Sequence, residues 1–275
     1  MKIALGARPD WPASLEAAHR AAAKLRAGGH DVVEFGLDSG AAPPQLKVAA
    51  VACVFGGDGT VLRAARAVAP LGIPLLGVNL GRLGFLTTTT IAEFDAAMAD
   101  VLAERFTIEE RALLDARVLR AGKELARGLA LNDVVVARGQ LVRSIHIAVR
   151  VDGELLIVYW ADGLIVATAT GSTAYGFSVG GPLILPASRA ITMVPIAPHL
   201  SFANAVVFDP DQALDLEVQD EPAVVSLDGR EQHDLKAGDR ISVRRAETVA
   251  RFARTAHARP FLELLRQKIL KELGR

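Results

Sequence analysis

The chain is written in two rhythms of apolar and polar positions. Over residues 1–104, short apolar runs alternate with segments of helical spacing. Residues 2–7, 32–35, 48–55 and 73–78 read as strands. The last two are almost wholly apolar, as in strands buried on both faces of a parallel sheet. Between the first two, Leu15, Ala18, Ala22 and Leu25 recur at helical spacing after Pro12 and stop at Gly28-Gly29. Residues 60–69 return to helical spacing before Pro70, and residues 91–103 form a third helix. This alternation predicts a doubly wound α/β domain with a mostly parallel sheet.

From residue 105 to 254 the rhythm changes. Short strands follow one another, separated by turn signals at Gly122-Lys123, Asp152-Gly153, Asp228-Gly229 and Gly238-Asp239. Residues 144–151 and 240–244 alternate apolar with polar. This half reads as an all-β sandwich. The tail is helical again, with Phe261, Leu264, Leu265, Ile269 and Leu273 on one stripe. A helix of that length is marginal alone, so it must dock, and its place is expected on the α/β domain. The predicted division is 1–104 with 255–275, and 105–254.

Composition narrows the chemistry. Of 275 residues, 51% are hydrophobic and 23% charged, as in a folded globular chain. Lys+Arg and Asp+Glu both count 31, so no net charge draws the protein to nucleic acid or an anionic membrane. Anionic ligands must be held by local groups. The single cysteine, Cys53, sits in an apolar run and reads as a small core residue. No apolar run reaches membrane-spanning length unbroken, and the N-terminal run is too short for a signal peptide. A cytoplasmic, reducing setting is the expectation.

Three segments carry candidate chemistry. Gly56-Gly57-Asp58-Gly59-Thr60 follows a buried strand and opens a helix. That is where α/β sheets bind ligands. Glycines there permit positive φ and let backbone amides approach a phosphate. A plain helix cap accounts for one or two glycines, less well for three around an acid. No Gly-Lys-Ser/Thr follows, so this is not a Walker loop. Two tasks fit Asp58: taking a proton from an attacking hydroxyl, or anchoring Mg²⁺. Arg63, one turn later, faces either the phosphates or solvent. Asn132-Asp133 interrupts the apolar run 129–137. It reads as a bulge, a satisfied structural pair or a ligand contact. In 161–182, small hydroxylated residues and glycines are flanked by apolar runs, which suits packing against a flat ligand. His146, His199 and His233 show no zinc spacing and no carboxylate neighbour suggesting a triad.

In order and spacing, several motifs resemble the bacterial NAD kinases. They are Gly56-Gly57-Asp58-Gly59-Thr60, Gly77-Val78-Asn79-Leu80-Gly81-Arg82-Leu83-Gly84-Phe85-Leu86, Leu131-Asn132-Asp133-Val134, Asp162-Gly163, Thr170-Gly171-Ser172-Thr173-Ala174-Tyr175, Gly180-Gly181-Pro182 and Pro195-Ile196-Ala197-Pro198-His199. Lipid kinases and phosphofructokinases have turns like the first; the combination with Thr-Gly-Ser-Thr-Ala-Tyr is specific. The resemblance implies phosphorylation of the 2′-hydroxyl of the adenosine ribose of NAD, with ATP or polyphosphate as donor and a divalent metal, Mg²⁺. It implies a cleft between an α/β domain and a β-sandwich, and a homodimer or homotetramer. It implies Asp58 as proton acceptor, with phosphate held at Gly56, Gly57, Gly59, Thr60 and Arg63. The NAD-binding set it implies is Asp58, Gly59, Phe85, Asn132, Asp133, Arg143, Trp160, Asp162, Thr173, Ala174, Tyr175, Ser178 and Arg230. The family usually has Asn-Glu where Asn132-Asp133 stands, Ser-Thr-Pro-Thr-Gly where 167–171 reads Ala-Thr-Ala-Thr-Gly, and often Arg at Trp160. The competing readings are a diacylglycerol-type lipid kinase and a non-catalytic dinucleotide-binding regulator.

Overall fold

The computed structural model describes residues 1–37, 43–140, 143–220 and 222–272. Leu273 of the predicted C-terminal stripe lies outside them. Two compact units divide the chain: Met1–Glu110 with Val249–Arg275, and Arg111–Thr248.

The first unit is built from β1 (Lys2–Ala7), α1 (Pro12–Ala27), β2 (Asp31–Gly36), β3 (Val51–Gly56), α2 (Asp58–Val68), β4 (Leu75–Asn79), the short β5 (Thr89–Thr90) and α3 (Phe94–Leu102). β1 pairs in parallel with β2 and β3, and β3 with β4. Every residue of β3 is buried. One face of the sheet, with Ile3, Leu5, Val51, Cys53, Phe55, Leu76 and Val78, packs on α1 and α3. The alanines of α1 (Ala17, Ala18, Ala21, Ala22) let that helix lie close. The other face takes α2: a Cβ on Gly77 would stand 3.1 Å from Val61 Cγ2. Helices therefore cover both faces. The predicted strand at 48–55 is shorter than expected. Pro43 and Pro44 favour a 3-10 turn over Pro44–Val48 instead, and Val48 is exposed.

The second unit holds most of β6 (Thr107–Arg120), then β7 (Lys123–Ala130), β8 (Asp133–Arg138), β9 (Ile145–Val151), β10 (Glu154–Ala161), β11 (Gly163–Ala167), the single turn α4 (Tyr175–Ser178), β12 (Ile191–Ile196), β13 (Val206–Phe208), β14 (Leu214–Val218), β15 (Ala223–Leu227), β16 (Glu231–Leu235) and the start of β17 (Arg240–Arg254). One sheet has the order β13-β12-β11-β8-β15-β16. Its partner joins β10, β9, β14, β17, β6 and β7. Their inward residues share one core, with Val134, Val136, Leu164 and Met193 from the first and Ile147, Val149, Tyr159, Leu216 and Ile241 from the second. That is a sandwich. Ala121 and Gly122 turn β6 into β7 with φ of 47° and 78°, one residue earlier than the sequence suggests. Asp152 and Gly153 turn β9 into β10 in the same way, as right-twisted hairpins require.

β17 runs on past residue 244, where the alternation seemed to end. Its last residues join the first unit, where Phe252 pairs in parallel with Leu75. α5 (Phe261–Glu272) belongs to that unit too. Leu264 is buried, whereas Ile269 is exposed, so the apolar stripe docks only through the first half of the helix.

Candidate active site

β3 ends at Gly56 and α2 begins at Asp58, placing the glycine run at the strand's carboxyl end. None of Gly56, Gly57 and Gly59 has positive φ. Gly56 is required for another reason: a Cβ there would overlap the buried Thr60 side chain. Asp58 does not cap its own helix. Its carboxylate turns to the segment after β4. Oδ2 accepts the Phe85 amide at 2.8 Å, while Oδ1 accepts the amides of Leu86 and Thr87 and the Thr87 hydroxyl at 3.0–3.1 Å. Gly84 lies so close that a Cβ would collide with the carboxylate. Asn79, at the end of β4, shapes this segment. Its Nδ2 donates to Arg82 O and Thr87 Oγ1, both at 2.7 Å, and its Oδ1 accepts the Gly81 amide at 2.6 Å. The 77–86 motif is recognisable in the sequence, but the grip of its end on Asp58 is not.

Two more predicted residues of this unit have defined neighbours. Arg63 Nη1 donates to Leu37 O at 3.2 Å. Phe85 is buried, its ring 5.2 Å from that of Phe261, and the Lys268 ammonium lies 3.8 Å from its centroid. Cys53 is wholly buried with its thiol toward Met98 Sδ, and burial pushes its pKa up to about 12. Such a thiol is inert. A thiol reagent should leave the native protein unmodified and titrate one group after unfolding; reaction under native conditions would contradict the core placement.

In the second unit, Asn132-Asp133 is neither a bulge nor a mid-strand pair. Leu131 and Asn132 form the crossing from β7, in one sheet, to β8, in the other. This crossing is held from both sides. Thr168 Oγ1 donates to Leu131 O at 2.6 Å, and Thr168 N to Asn132 O at 2.9 Å. Gly171 packs against Asn132 so closely that a Cβ would overlap its carbonyl. From the other side, the Asp228 carboxylate accepts the amides of Leu131, Asn132 and Asp133 at 3.0, 2.7 and 3.2 Å. Ser172, in the same hydroxyl-rich stretch, is also spent internally, donating to Ala169 O and accepting the Ile184 amide.

Beside this crossing lies a cavity of about 430 Å³. Asn132, Asp133, Ala174 and Tyr175, all expected from the sequence, line it with Ser226 and Asp228. Burial first, then the charge of Asp228, raises the Asp133 pKa from its ordinary carboxyl value to about 7. Among the described residues, Ser226 Oγ is buried without a hydrogen-bond partner. Sequence reasoning missed Ser226, Asp228 and Gln232, which also lines the cavity. In the sequence Asp228 marks only a turn, and Gln232 carries no sign of a ligand site.

The remaining predicted residues stand elsewhere. Thr173 donates to Thr170 O at 3.1 Å, and neither it nor the exposed Ser178 lines the cavity. Asp162 sits between β10 and β11, paired with Arg138 at 3.0 Å and accepting from Ser144 Oγ at 3.1 Å. Arg143 and Trp160 line a second cavity of about 620 Å³ with Ser144, His146, His199 and Asp220. His146 stacks on Trp160 and meets Asp220 at 2.6 Å. This carboxylate partner is 74 residues away and invisible in the sequence. Arg230 is exposed and lies outside both linings. Among the described residues, no group of three or more His, Cys, Asp and Glu could hold a metal ion. Among them, too, no helix is long and apolar enough to cross a membrane.

A parallel α/β unit whose glycine turn presents an acid, together with a β-sandwich carrying an amide- and carboxyl-lined cavity, defines a phosphotransferase of the nucleotide-kinase class. Family models described as the N-terminal and C-terminal domains of ATP-NAD kinase match residues 38–106 and 131–255. The chain belongs to the NAD kinase family. It is 44% identical over 218 residues to the NAD kinase of Heliobacterium modesticaldum, covering 78% of this chain and 77% of that one. It is 38% identical over 279 residues to the NAD kinase of Aromatoleum aromaticum, covering 97% and 93%. Among solved structures, an NAD kinase from Archaeoglobus fulgidus in complex with ATP superposes with a TM-score of 0.78 at 26% identity, covering 97% of this chain and 99% of that one. Yeast NADH kinase complexed with NADH gives 0.81 at 24% identity, covering 94% and 84%, a likeness of fold.

Proposed function

We propose that the protein transfers the terminal phosphoryl group of ATP to the 2′-hydroxyl of the adenosine ribose of NAD, giving NADP. The observation that carries this reading is the cavity at the β7–β8 crossing. Asn132, Asp133 and Ser226 line it beside Tyr175, within the stretch matched by the family's C-terminal domain. Buried polar groups without partners are costly unless a ligand completes them. Asn132 and Asp133 bind the adenosine part, and Ala174 and Tyr175 pack against its flat face. Thr173 and Ser178 border this site, while Asp162, Arg143, Trp160 and Arg230 serve the rest of the dinucleotide.

Asp58 receives the proton of the attacking hydroxyl. A ribose hydroxyl is a poor nucleophile at neutral pH, and a positioned carboxylate removes that barrier. Phosphoryl transfer otherwise needs alignment and charge neutralisation. The amides of the Gly56–Gly59 turn, with Thr60, supply part of the latter. The divalent cation enters on the donor's phosphates, as Mg²⁺ commonly does. The test is NADP formation from NAD with ATP or polyphosphate, run beside a diacylglycerol acceptor. NADP is expected with ATP. Lipid phosphorylation without NADP would favour a lipid kinase, and NAD binding without turnover would favour a regulator.

A further inference from the structure

Asp228 is tied to the β7–β8 crossing in both directions. Its carboxylate accepts three consecutive amides, those of Leu131, Asn132 and Asp133. Its own amide donates to Asp133 O at 2.9 Å. It opens the turn between β15 and β16 with φ of 49°, a left-handed conformation that Asp tolerates better than most residues. It is also buried, so these bonds are not traded for water. Three amide donors on one carboxylate favour its charged form. A hairpin turn alone needs none of this.

We propose that Asp228 is a positioning residue for the dinucleotide cavity, its carboxylate fixing the crossing that aims Asn132 and Asp133 at the ligand. This rests on the reading of that cavity as the NAD site. Asp228 never has to touch the reacting atoms; it acts through the two residues it holds.

The same carboxylate leaves a second mark. Asp133 is buried beside it, and among the described residues no hydrogen bond from the protein reaches the Asp133 carboxyl. Several elements share the cavity lining with Asp133. The β15–β16 turn contributes the Asp228 charge, and α4 contributes the Tyr175 phenol. β15 contributes the uncharged Val224 and Ser226, β16 contributes the Gln232 amide, and the paired β11 is apolar throughout. Burial and the Asp228 charge both disfavour ionising Asp133, which therefore carries a proton up to about pH 7. The neutral carboxyl can both donate to and accept from a ligand hydroxyl. Its ionised form would add a second buried charge to a site receiving an anionic dinucleotide. NAD affinity should thus be full below pH 7 and fall above it, by at most about tenfold per pH unit for one proton.

The experiment measures the dissociation constant for NAD from pH 5.5 to 8.5 in the wild type, Asp133→Asn and Asp228→Asn, with ATP KM as a second readout. Asp133→Asn, which cannot ionise, should abolish the inflection near pH 7, whatever affinity the carboxamide retains. Asp228→Asn turns an N–H donor toward a backbone amide and removes the charge. It should weaken NAD about tenfold or more at every pH, move the inflection downward and leave ATP KM within about twofold. A merely structural contact would lower the melting temperature and, with the fold intact, leave the low-pH NAD affinity unchanged, although the lost charge would still move the inflection. Asp228→Asn with wild-type affinity and inflection would overturn the inference. Wild-type protein that does not bind NAD at all would instead overturn the NAD reading itself. If Asp228→Asn does not fold, carbon-13 NMR of the wild-type aspartate carboxyls decides. Asp228 ionised throughout with Asp133 titrating near 7 supports the inference, and the reverse assignment sinks it.

Discussion

Asp58→Asn should lower kcat by about a hundredfold or more while the dissociation constant for NAD stays within a few-fold. Loss of a positioned general base typically removes two to four orders of magnitude, and the carboxamide cannot accept the proton. The structure adds a second consequence that the Gly56–Thr60 motif alone does not suggest. Asp58 is also the anchor of the 85–87 segment, accepting four hydrogen bonds with its two oxygens. Asparagine keeps only one acceptor oxygen and points an N–H₂ at a backbone amide. A stability loss of about 1–3 kcal/mol should therefore accompany the rate loss, the usual cost of an unsatisfied buried donor. Thr87→Val separates the two effects. It deletes one of the four donors and leaves the carboxylate in place, so it should lower the melting temperature while keeping most of kcat. If Asp58→Asn turned over NAD at the wild-type rate, Asp58 would be an anchor and nothing more. If Thr87→Val lost as much rate as Asp58→Asn, the geometry of the segment, and not the carboxylate, would limit the reaction.

How far the sequence reveals this site depends on chain distance. The glycine run marks Asp58 because strand, turn and helix follow one another locally, and all three are visible as changes of period. The partners of Asp58 stand 27–29 residues later, and no spacing rule joins them. Asn132-Asp133 was conspicuous as polar residues in an apolar run. That the run breaks there, with β7 and β8 in different sheets, was hidden because both halves are β-like. Asp228 lies 95–97 residues from the amides it holds, and only its turn was legible. Thr168 and Ser172 misled in the opposite sense. Their hydroxyls suggested ligand contacts, yet they bind the protein's own backbone. The sandwich itself was legible from period-two alternation and hairpin turns. The continuation of β17 into the first unit was not, because its pattern loosens after Arg244.

Gly171→Ala should disable NAD binding more severely than substitution of any single lining side chain. Gly171 does not have positive φ, so backbone strain is not the cause. The cause is space: the added methyl would meet the carbonyl of Asn132, which is backbone and cannot rotate away. Nor can the crossing simply retreat. Thr168 pins it through Leu131 O and Asn132 O, and Asp228 pins it through three amides. One of two things must give. Either the crossing shifts and breaks part of this network, or the 168–173 stretch moves and carries Ala174 and Tyr175 off the cavity wall. Both displace groups that the ligand needs aligned, and in catalysis a misplacement of about 1 Å can cost two orders of magnitude. Overpacking of this kind also costs about 1–3 kcal/mol of stability. The expected result is folded protein with a lower melting temperature and a dissociation constant for NAD raised about a hundredfold. ATP binding, if it depends on the Gly56–Gly59 turn in the other unit, should survive. A Gly171→Ala protein that binds NAD normally would mean that the crossing tolerates displacement, and that Asn132 and Asp133 are not held in register for the ligand.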